Sequence, residues 1–261
     1  MTQLTLTFLG TGTSNGVPVI GCDCAVCRSP DPRDKRGRTS AAIHDALDDR
    51  VYLIDTATEL RTQALATGLN RVDAVLFTHA HADHTGGFDD LRRFNELRQA
   101  HLPVYANPET AEMLRERFAY AFSDVFPFYG GKPDLHLREV SGPFRPFERE
   151  IVPIPVQHGR LPVVGYRLGD LAYVTDAKTI PDASLDLLRD LDVLVLNALR
   201  ERSHPTHLSL PEAVEIIQEL RPHRAFLVHL SHELSHVRAM ALLPDGIEVA
   251  YDGLIVTTAE R

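Results

Sequence analysis

Short apolar runs of β-strand length recur along the chain. Most are continuous rather than alternating, which is typical of strands that are covered on both faces. They are LTLTFLG, RVYLID, DAVLFTH, LPVYA, REIVPIPVQH, LAYVTD, DVLVLNA, RAFLVHL and IEVAYDGLIV. The stretches between them carry helix signals, such as Asn107 and Pro108 before ETAEMLRERF and Ser209 before LPEAVEIIQEL. Strands that alternate with helices predict an α/β protein.

Polar side chains end six of these predicted strands, and nearly all of them are His or Asp. They are Asp55, His79, His158, Asp176, Asn197 and His229. In layered α/β proteins, ligand sites gather at the carboxyl ends of the strands. The six residues therefore predict one polar edge that collects metal ligands.

The densest group of candidate ligands is THAHADH, residues 78–84. His79 and His81 should point the same way, because side chains alternate along a strand. If the chain then turns into a helix, Asp83 and His84 approach the same space from another side. Imidazole and carboxylate together suit zinc, manganese, iron or nickel. The glycines that follow, Gly86 and Gly87, permit a close approach of the backbone.

Composition narrows the class of protein further. The 261 residues are 44% hydrophobic and show no linker, so we expect one domain over 1–261. A net charge of -9 argues against a protein that grips long nucleic acid. The N-terminus has no signal-peptide pattern, and no apolar run is long enough to span a membrane. We therefore expect a cytoplasmic protein with no membrane partner.

The spacing H-x-H-x-D-H after a hydrophobic strand resembles the hallmark of the metallo-β-lactamase superfamily. LTFLGTGTSNGVP, RVYLIDTA, QHGRLPVVGYRLGD, AYVTDAK and FLVHLSH resemble its other motifs, so the resemblance covers nearly the whole chain. It implies a four-layered αββα sandwich with a dinuclear metal site at one edge. By this resemblance, one metal is held by His79, His81 and His158, and the other by Asp83, His84 and His229. Asp176 bridges the two metals, and Asp55 orients a ligand histidine.

The only three cysteines lie together in GCDCAVC, as Cys22, Cys24 and Cys27. With one more ligand they would form a closed, structural tetrahedral zinc site, for which we expect no chemistry. The segment resembles the cyclic phosphodiesterase branch of the superfamily, from the bacterial carbon–phosphorus lyase pathway. That branch implies a histidine three residues after the last active-site ligand, which is His232 here. His236 is the competing candidate.

The resemblance implies a metal-dependent phosphodiesterase that hydrolyses a small or cyclic phosphodiester. Examples are ribosyl 1,2-cyclic phosphate and nucleoside cyclic phosphates. The expected cofactors are one structural zinc and two divalent catalytic ions, manganese or zinc, with nickel and iron as alternatives. A hydroxide that bridges the catalytic ions is the expected nucleophile.

The catalytic candidates are Asp83 and His207. His207 is expected to act as the acid or as a phosphate-binding group, with His204 as its rival. Arg160, Arg200 and Arg202 are candidates for phosphate contacts.

Other functions share parts of this pattern. A tRNA 3'-processing nuclease shares the metal motif but needs a basic, protruding arm. A thioester or lactone hydrolase would use the same metals, but this function does not explain the cysteines. A non-catalytic module that binds metal for sensing or partner contact is a further alternative, and the intact set of ligands argues against it. The segment 121–150 is a lid, a dimer surface or a loop tucked against the core, and a homodimer is compatible with the resemblance.

Overall fold

The computed structural model describes residues 2–123 and 131–259, in which the strands form two mixed sheets. The seven-stranded sheet contains β1 (Leu4–Gly10), β2 (Ser40–Asp45), β3 (Arg50–Ile54), β4 (Ala74–Leu76), β5 (Leu102–Ala106), β6 (Leu135–Glu139) and β13 (Ile255–Thr257). The six-stranded sheet contains β7 (Ile151–His158), β8 (Leu161–Leu168), β9 (Leu171–Val174), β10 (Val193–Asn197), β11 (Arg224–Val228) and β12 (Ile247–Val249).

Each sheet has a parallel part and an antiparallel part. The first sheet has the order β13-β1-β2-β3-β4-β5-β6, and its strands run parallel from β3 to β6. The second has the order β12-β11-β10-β9-β8-β7, with β9 to β12 parallel. In the antiparallel part of the first sheet, Thr5 of β1 lies opposite both His44 and Thr257.

Helices cover the outer faces of both sheets. They are α1 (Leu60–Thr67), α2 (Ala82–Thr85), α3 (Leu91–Arg98), α4 (Pro108–Arg117), α5 (Ala119–Phe122), α6 (Asp182–Asp186), α7 (Leu210–Leu220) and α8 (His236–Leu242), with short 3-10 helices at Pro32–Asp34 and Phe88–Asp90. Asn107 caps α4 by accepting a hydrogen bond from the Thr110 N–H at 2.8 Å. Ser209 and Glu212 form a capping box at the start of α7.

Three buried apolar clusters separate four layers. Side chains of both sheets meet in the central cluster, where the rings of Phe8 and Phe226 lie 5.8 Å apart. A second cluster joins the six-stranded sheet to α7 through residues such as Ile217, and a third joins the seven-stranded sheet to α1 and α3 through residues such as Leu60 and Leu91. The predicted α/β class and αββα layering are confirmed.

Several local predictions differ from the structure. IEVAYDGLIV is not one strand, because β12 pairs in the second sheet and β13 in the first. The strands β2, β6 and β8 and the helix α8 are not among the elements predicted from the sequence. In the part of 121–150 that the structure describes, β6 joins the sheet, and Phe144 and Phe147 pack against the central cluster. This part is tucked against the core, and residues 124–130 lie outside the described residues.

None of the helices in the described residues combines the length and the apolar character that a membrane span requires.

Candidate active site

Three residues of the candidate site share an unusual backbone conformation. Asp55, Asp176 and His229 follow the last residues of β3, β9 and β11 closely, and their φ angles are +58°, +58° and +60°. Residues other than glycine rarely adopt this left-handed region, and such residues cluster at functional sites. The conformation stops each strand at the same edge, where the parallel parts of the two sheets end.

The histidine loop runs from the end of β4 into the short helix α2. It is held from outside by Arg117 of α4, which donates to the Ala80 carbonyl and, at 2.9 Å, to the Thr85 hydroxyl. Gly86 lets the loop return closely against the chain, because a Cβ there would lie 2.6 Å from the Thr58 Oγ1. These contacts hold the loop against the chain that follows β3.

Asp55 fixes this loop from below. Its fully buried carboxylate accepts hydrogen bonds from the Thr78 N–H at 2.8 Å, the Thr78 hydroxyl at 2.7 Å and His84 Nδ1 at 2.7 Å. A carboxylate only accepts, so the proton of the third bond lies on His84 Nδ1. His84 Nε2 is left for another partner.

Three further histidines are fixed in the same tautomer. The Thr78 hydroxyl donates to Asp55 and so accepts from His79 Nδ1 at 3.0 Å. His158 Nδ1 donates to the Thr206 carbonyl at 2.7 Å. The Thr39 hydroxyl donates to the Gly12 carbonyl and accepts from His229 Nδ1 at 3.1 Å. In its neutral form, each ring thus carries its proton on Nδ1 and leaves Nε2 free, which is the arrangement that outer partners impose on metal-ligating histidines. His229 differs in one respect, because its Nδ1 also lies 3.2 Å from an Asp176 oxygen.

The Asp176 carboxylate is the centre of the cluster. It lies 3.2 Å from His229 Nδ1, 3.5 Å from His84 Nε2 and 3.8 Å from His79 Nε2. Three sets of ligand atoms, each within 4.8 Å of one another, all include Asp176. They are His79, His84 and Asp176; His81, His158 and Asp176; and Asp176, His207 and His229. Asp83 adjoins the cluster, with an oxygen 3.3 Å from His84 Nε2.

The electrostatics of the cluster favour positive charge at its centre. Burial alone would lower the pKa of His84, but the Asp176 and Asp55 carboxylates hold this pKa well above its usual value. Burial would raise the pKa of Asp176, yet His229 and His84 hold it well below its usual value. The Asp176 carboxylate thus stays ionised and attracts a cation.

The donor set fits divalent metal ions. Within the described part of the chain, His84 Nε2 is fully buried and has no hydrogen-bond partner, and the same holds for His207 Nδ1. A buried polar atom without a partner is costly, and a metal ligand bond removes that cost. Imidazole nitrogens and carboxylate oxygens in this number suit zinc or manganese.

His207 lies beside the cluster, with Nδ1 4.0 Å from an Asp176 oxygen. Burial and the neighbouring His229 lower the pKa of His207 to about 3. The ring is therefore neutral near pH 7 before substrate binds. His204 instead turns Nδ1 towards Thr206, 3.2 Å from its hydroxyl.

The cysteines meet His232 across more than two hundred residues. His232 Nδ1 lies 3.3, 3.5 and 3.6 Å from the Sγ atoms of Cys22, Cys24 and Cys27. Tetrahedral zinc with ordinary bond lengths separates sulfur and nitrogen ligands by about 3.5 Å, so the four residues fit this ion. The N–H of Cys27 lowers the pKa of the Cys24 thiol to about 6, which favours the thiolate that zinc binds. His236 lies elsewhere, with its N–H bonded to Asp34.

A cavity of about 220 Å³ adjoins His207 and His229. Arg200 lines it, and Arg200 Nη1 donates to Glu233 at 2.6 Å. Arg202 bonds the same carboxylate at 2.5 Å. Arg160 is exposed in the turn after β7, outside this lining.

Reasoning from the sequence missed several residues that orient the ligands. Thr39, Thr206 and Arg117 lie far from the histidine motif in sequence, and a lone Thr or Arg carries no recognisable pattern. In the sequence, Asn197 is recognisable only as a polar residue at the end of a strand. Its side chain bonds both the N–H and the carbonyl of Ala177, at 2.7 and 3.0 Å, and so fixes the turn that carries Asp176.

The family model described as "Beta-lactamase superfamily domain" matches residues 50–230. Because the match spans more than half of the chain, the protein belongs to the β-lactamase superfamily.

Within the superfamily, the chain is similar to a crystal structure described as a new diphosphatase from the PhnP family. The two are 42% identical with a TM-score of 0.90, over 98% of this chain and 97% of the other. This similarity confirms the resemblance to the phosphodiesterase branch and supports a metal-dependent hydrolase. The human short-form tRNase Z (ELAC1) is 17% identical, with a TM-score of 0.71 over 98% of this chain and 100% of its own, and shows the fold alone.

A curated relative from Porphyromonas gingivalis (strain ATCC BAA-308 / W83) carries the name octanoyltransferase. It is 41% identical over 259 residues, which are 97% of this chain and 51% of the relative. The chain therefore spans about half the length of the curated relative that it matches.

Proposed function

We propose that the protein is a phosphodiesterase that hydrolyses a small or cyclic phosphodiester, such as a ribosyl or nucleoside cyclic phosphate. The observation that carries the proposal is the set of four histidines gathered around the Asp176 carboxylate, His79, His84, His158 and His229, each with Nδ1 engaged by a protein acceptor. The 42% identity to a diphosphatase supports phosphate ester or anhydride chemistry.

The proposed ligand set follows the superfamily pattern. His79, His81 and His158 would hold one ion and Asp83, His84 and His229 the other, with Asp176 shared. Two divalent ions held there would lower the pKa of a bound water and stabilise charge on the attacked phosphate. Manganese or zinc suits these ligands best, and a third ion, zinc, would occupy the cysteine cluster.

The residues around the cluster would bind and orient the phosphate. His207 is neutral before substrate binds, so we favour a hydrogen bond from its ring N–H to a phosphate oxygen over proton donation from an imidazolium. Arg200 lines the cavity and adds a guanidinium contact. Arg160 does not line it, so the proposal does not include this residue.

The cavity also bears on the other candidate functions. Most of the residues that line it are polar, among them Thr13, Ser14, Asn15 and Arg200, and its volume is small, which suits a small phosphorylated group better than an eight-carbon chain. The described part of 121–150 belongs to the first sheet and its core, and does not form a protruding tRNA-binding arm.

Hydrolysis assays test the proposal directly. With added Mn²⁺, the protein should hydrolyse bis-(p-nitrophenyl) phosphate and at least one cyclic phosphate, and Asp176→Asn should lose at least a hundredfold in kcat/KM. An octanoyl thioester and a tRNA precursor are the competing substrates. Faster turnover of either one than of every phosphodiester would contradict the proposal.

A further inference from the structure

The cavity beside the His and Asp cluster lies between two separate segments of the chain. One wall is formed by the loop after β1, with residues 13–15 and Val19, and the other by the loop after β11, with residues 231–233. His207 and His229 line the same cavity. The distance between the two walls therefore decides how well a bound group is held against the candidate active site.

The base of these walls is held by contacts that need no metal. The Leu230 N–H donates to the Thr11 carbonyl at 3.1 Å, and Leu230 forms a β-bridge with Gly12. The buried Arg36 donates to the carbonyls of Ser231 and Leu234, each at 3.0 Å. The base should therefore persist when the cysteine cluster is empty.

The upper parts of the walls are joined by the cysteine cluster. On the first wall, the Val19 N–H donates to Cys27 Sγ at 3.4 Å, and the Val19 carbonyl accepts from the Cys22 N–H at 3.0 Å. On the second wall, His232 Nδ1 lies within 3.6 Å of the three Sγ atoms. Glu233 follows His232 directly and holds the Arg200 guanidinium.

We propose that the cluster of Cys22, Cys24, Cys27 and His232, when it holds zinc, ties the two walls of the substrate cavity together and thereby sets substrate affinity. Without the tie, both loops gain conformational freedom, which substrate binding must then remove. This entropic cost raises the free energies of the enzyme–substrate complex and of the transition state by the same amount, so KM rises while kcat stays constant. His232 and Glu233 act as positioning residues, because they hold the wall and Arg200.

The test compares two substitutions at one ligand. His232→Ala should lose the tight zinc, raise KM for a phosphodiester at least fivefold and leave kcat within twofold. Hydrogen exchange over residues 13–22 and 231–235 should accelerate at least tenfold, while the rest of the chain is unchanged. His232→Cys supplies a fourth thiolate and should restore the zinc, the slow exchange and the KM.

A matched control separates this effect from general destabilisation. Asp45 is buried and paired with Arg149 at the far end of β2, so Asp45→Asn should lower the melting temperature and leave KM unchanged. If His232→Ala does not fold, the same measurements apply to wild-type protein stripped of its tight zinc and reloaded with Mn²⁺. Loss of zinc with unchanged KM and unchanged exchange would overturn the proposal, and so would an effect confined to kcat.

Only the kinetic part rests on the proposed phosphodiesterase function. If the wild-type protein hydrolyses no phosphodiester, that function fails, whereas zinc content and hydrogen exchange still decide whether the cluster ties the walls.

Discussion

Asp55→Asn tests whether the histidines are held in one tautomer for metal binding. The substitution keeps the shape of the side chain but replaces an acceptor oxygen with a donor NH₂. The Asn oxygen can still accept from the Thr78 N–H, whereas the NH₂ faces the Thr78 hydroxyl and His84 Nδ1–H. His84 must then move its proton to Nε2, the atom that faces Asp176 and Asp83.

The expected magnitude follows from the bonds that are lost. Two buried, charge-assisted hydrogen bonds are replaced by donor–donor contacts, which should lower the free energy of unfolding by about 3–5 kcal/mol. Loss of an outer partner of a ligating histidine typically weakens metal affinity about 10- to 100-fold. Since a tenfold change in affinity is about 1.4 kcal/mol, the metal-binding free energy should fall by roughly 1.4–2.8 kcal/mol.

The assay is calorimetric titration with Mn²⁺, because thiolates in the cysteine cluster prefer zinc and do not compete for this ion. Asp45→Asn serves as the control, since it removes a buried ion pair away from the site. The long-range ¹H–¹⁵N spectrum of the imidazoles reports the His84 tautomer. An Asp55→Asn protein that binds Mn²⁺ with wild-type affinity and keeps the His84 tautomer would refute the reasoning.

Three further predictions concern other parts of the structure. Cys24→Ser should lose the tightly bound zinc and lower the melting temperature, with Mn²⁺ binding affected only indirectly. Metal analysis by mass spectrometry measures the zinc, and a variant that retains it would contradict the prediction. His207→Ala should lose about 100-fold in kcat while retaining its metals, and unchanged turnover would reject the assigned role. Glu212→Ala should cost about 1 kcal/mol at pH 7, because it removes the α7 capping box and the ion pair with Lys178. Burial would raise the pKa of Glu212, but its contacts with Lys178 and Ser209 outweigh burial and lower this pKa to about 2. Ionised Glu212 therefore stabilises the folded protein above the unfolded-state pKa, and this contribution is lost as the pH falls from about 4.5 to 2. An Ala variant with an unchanged acid-unfolding curve would contradict this prediction.

Short-range patterns predicted the α/β class and pointed to most of the candidate ligands, whereas the four-layered arrangement came from the family resemblance. Continuous apolar runs such as RAFLV place β-strands reliably, because a strand buried on both faces leaves no room for polar residues. The ligand candidates at 79–84 could be recognised because they lie within one short loop, so that their spacing appears directly in the sequence. The resemblance added the distant partner His232, which no local pattern indicates.

Other features depend on contacts between segments that only the folded chain brings together. The left-handed conformation of Asp55, Asp176 and His229 leaves no mark in composition or periodicity. The pairing of Arg200 with Glu233 requires two loops to meet, and the sequence alone suggested a free phosphate-binding arginine. The crossing from β12 to β13 was hidden because IEVAYDGLIV looks like a single apolar run.

The pairing of β1 with β13 has a consequence for how such a unit is built into longer proteins. Leu4 and Thr258 exchange hydrogen bonds, 2.9 Å from the Thr258 N–H to the Leu4 carbonyl and 3.0 Å from the Leu4 N–H to the Thr258 hydroxyl. The start of β1 and the end of β13 thus lie next to each other at one edge of the seven-stranded sheet. Another domain can be attached at either point without bending the sheet, and a circularly permuted chain with a short linker between these points should still fold.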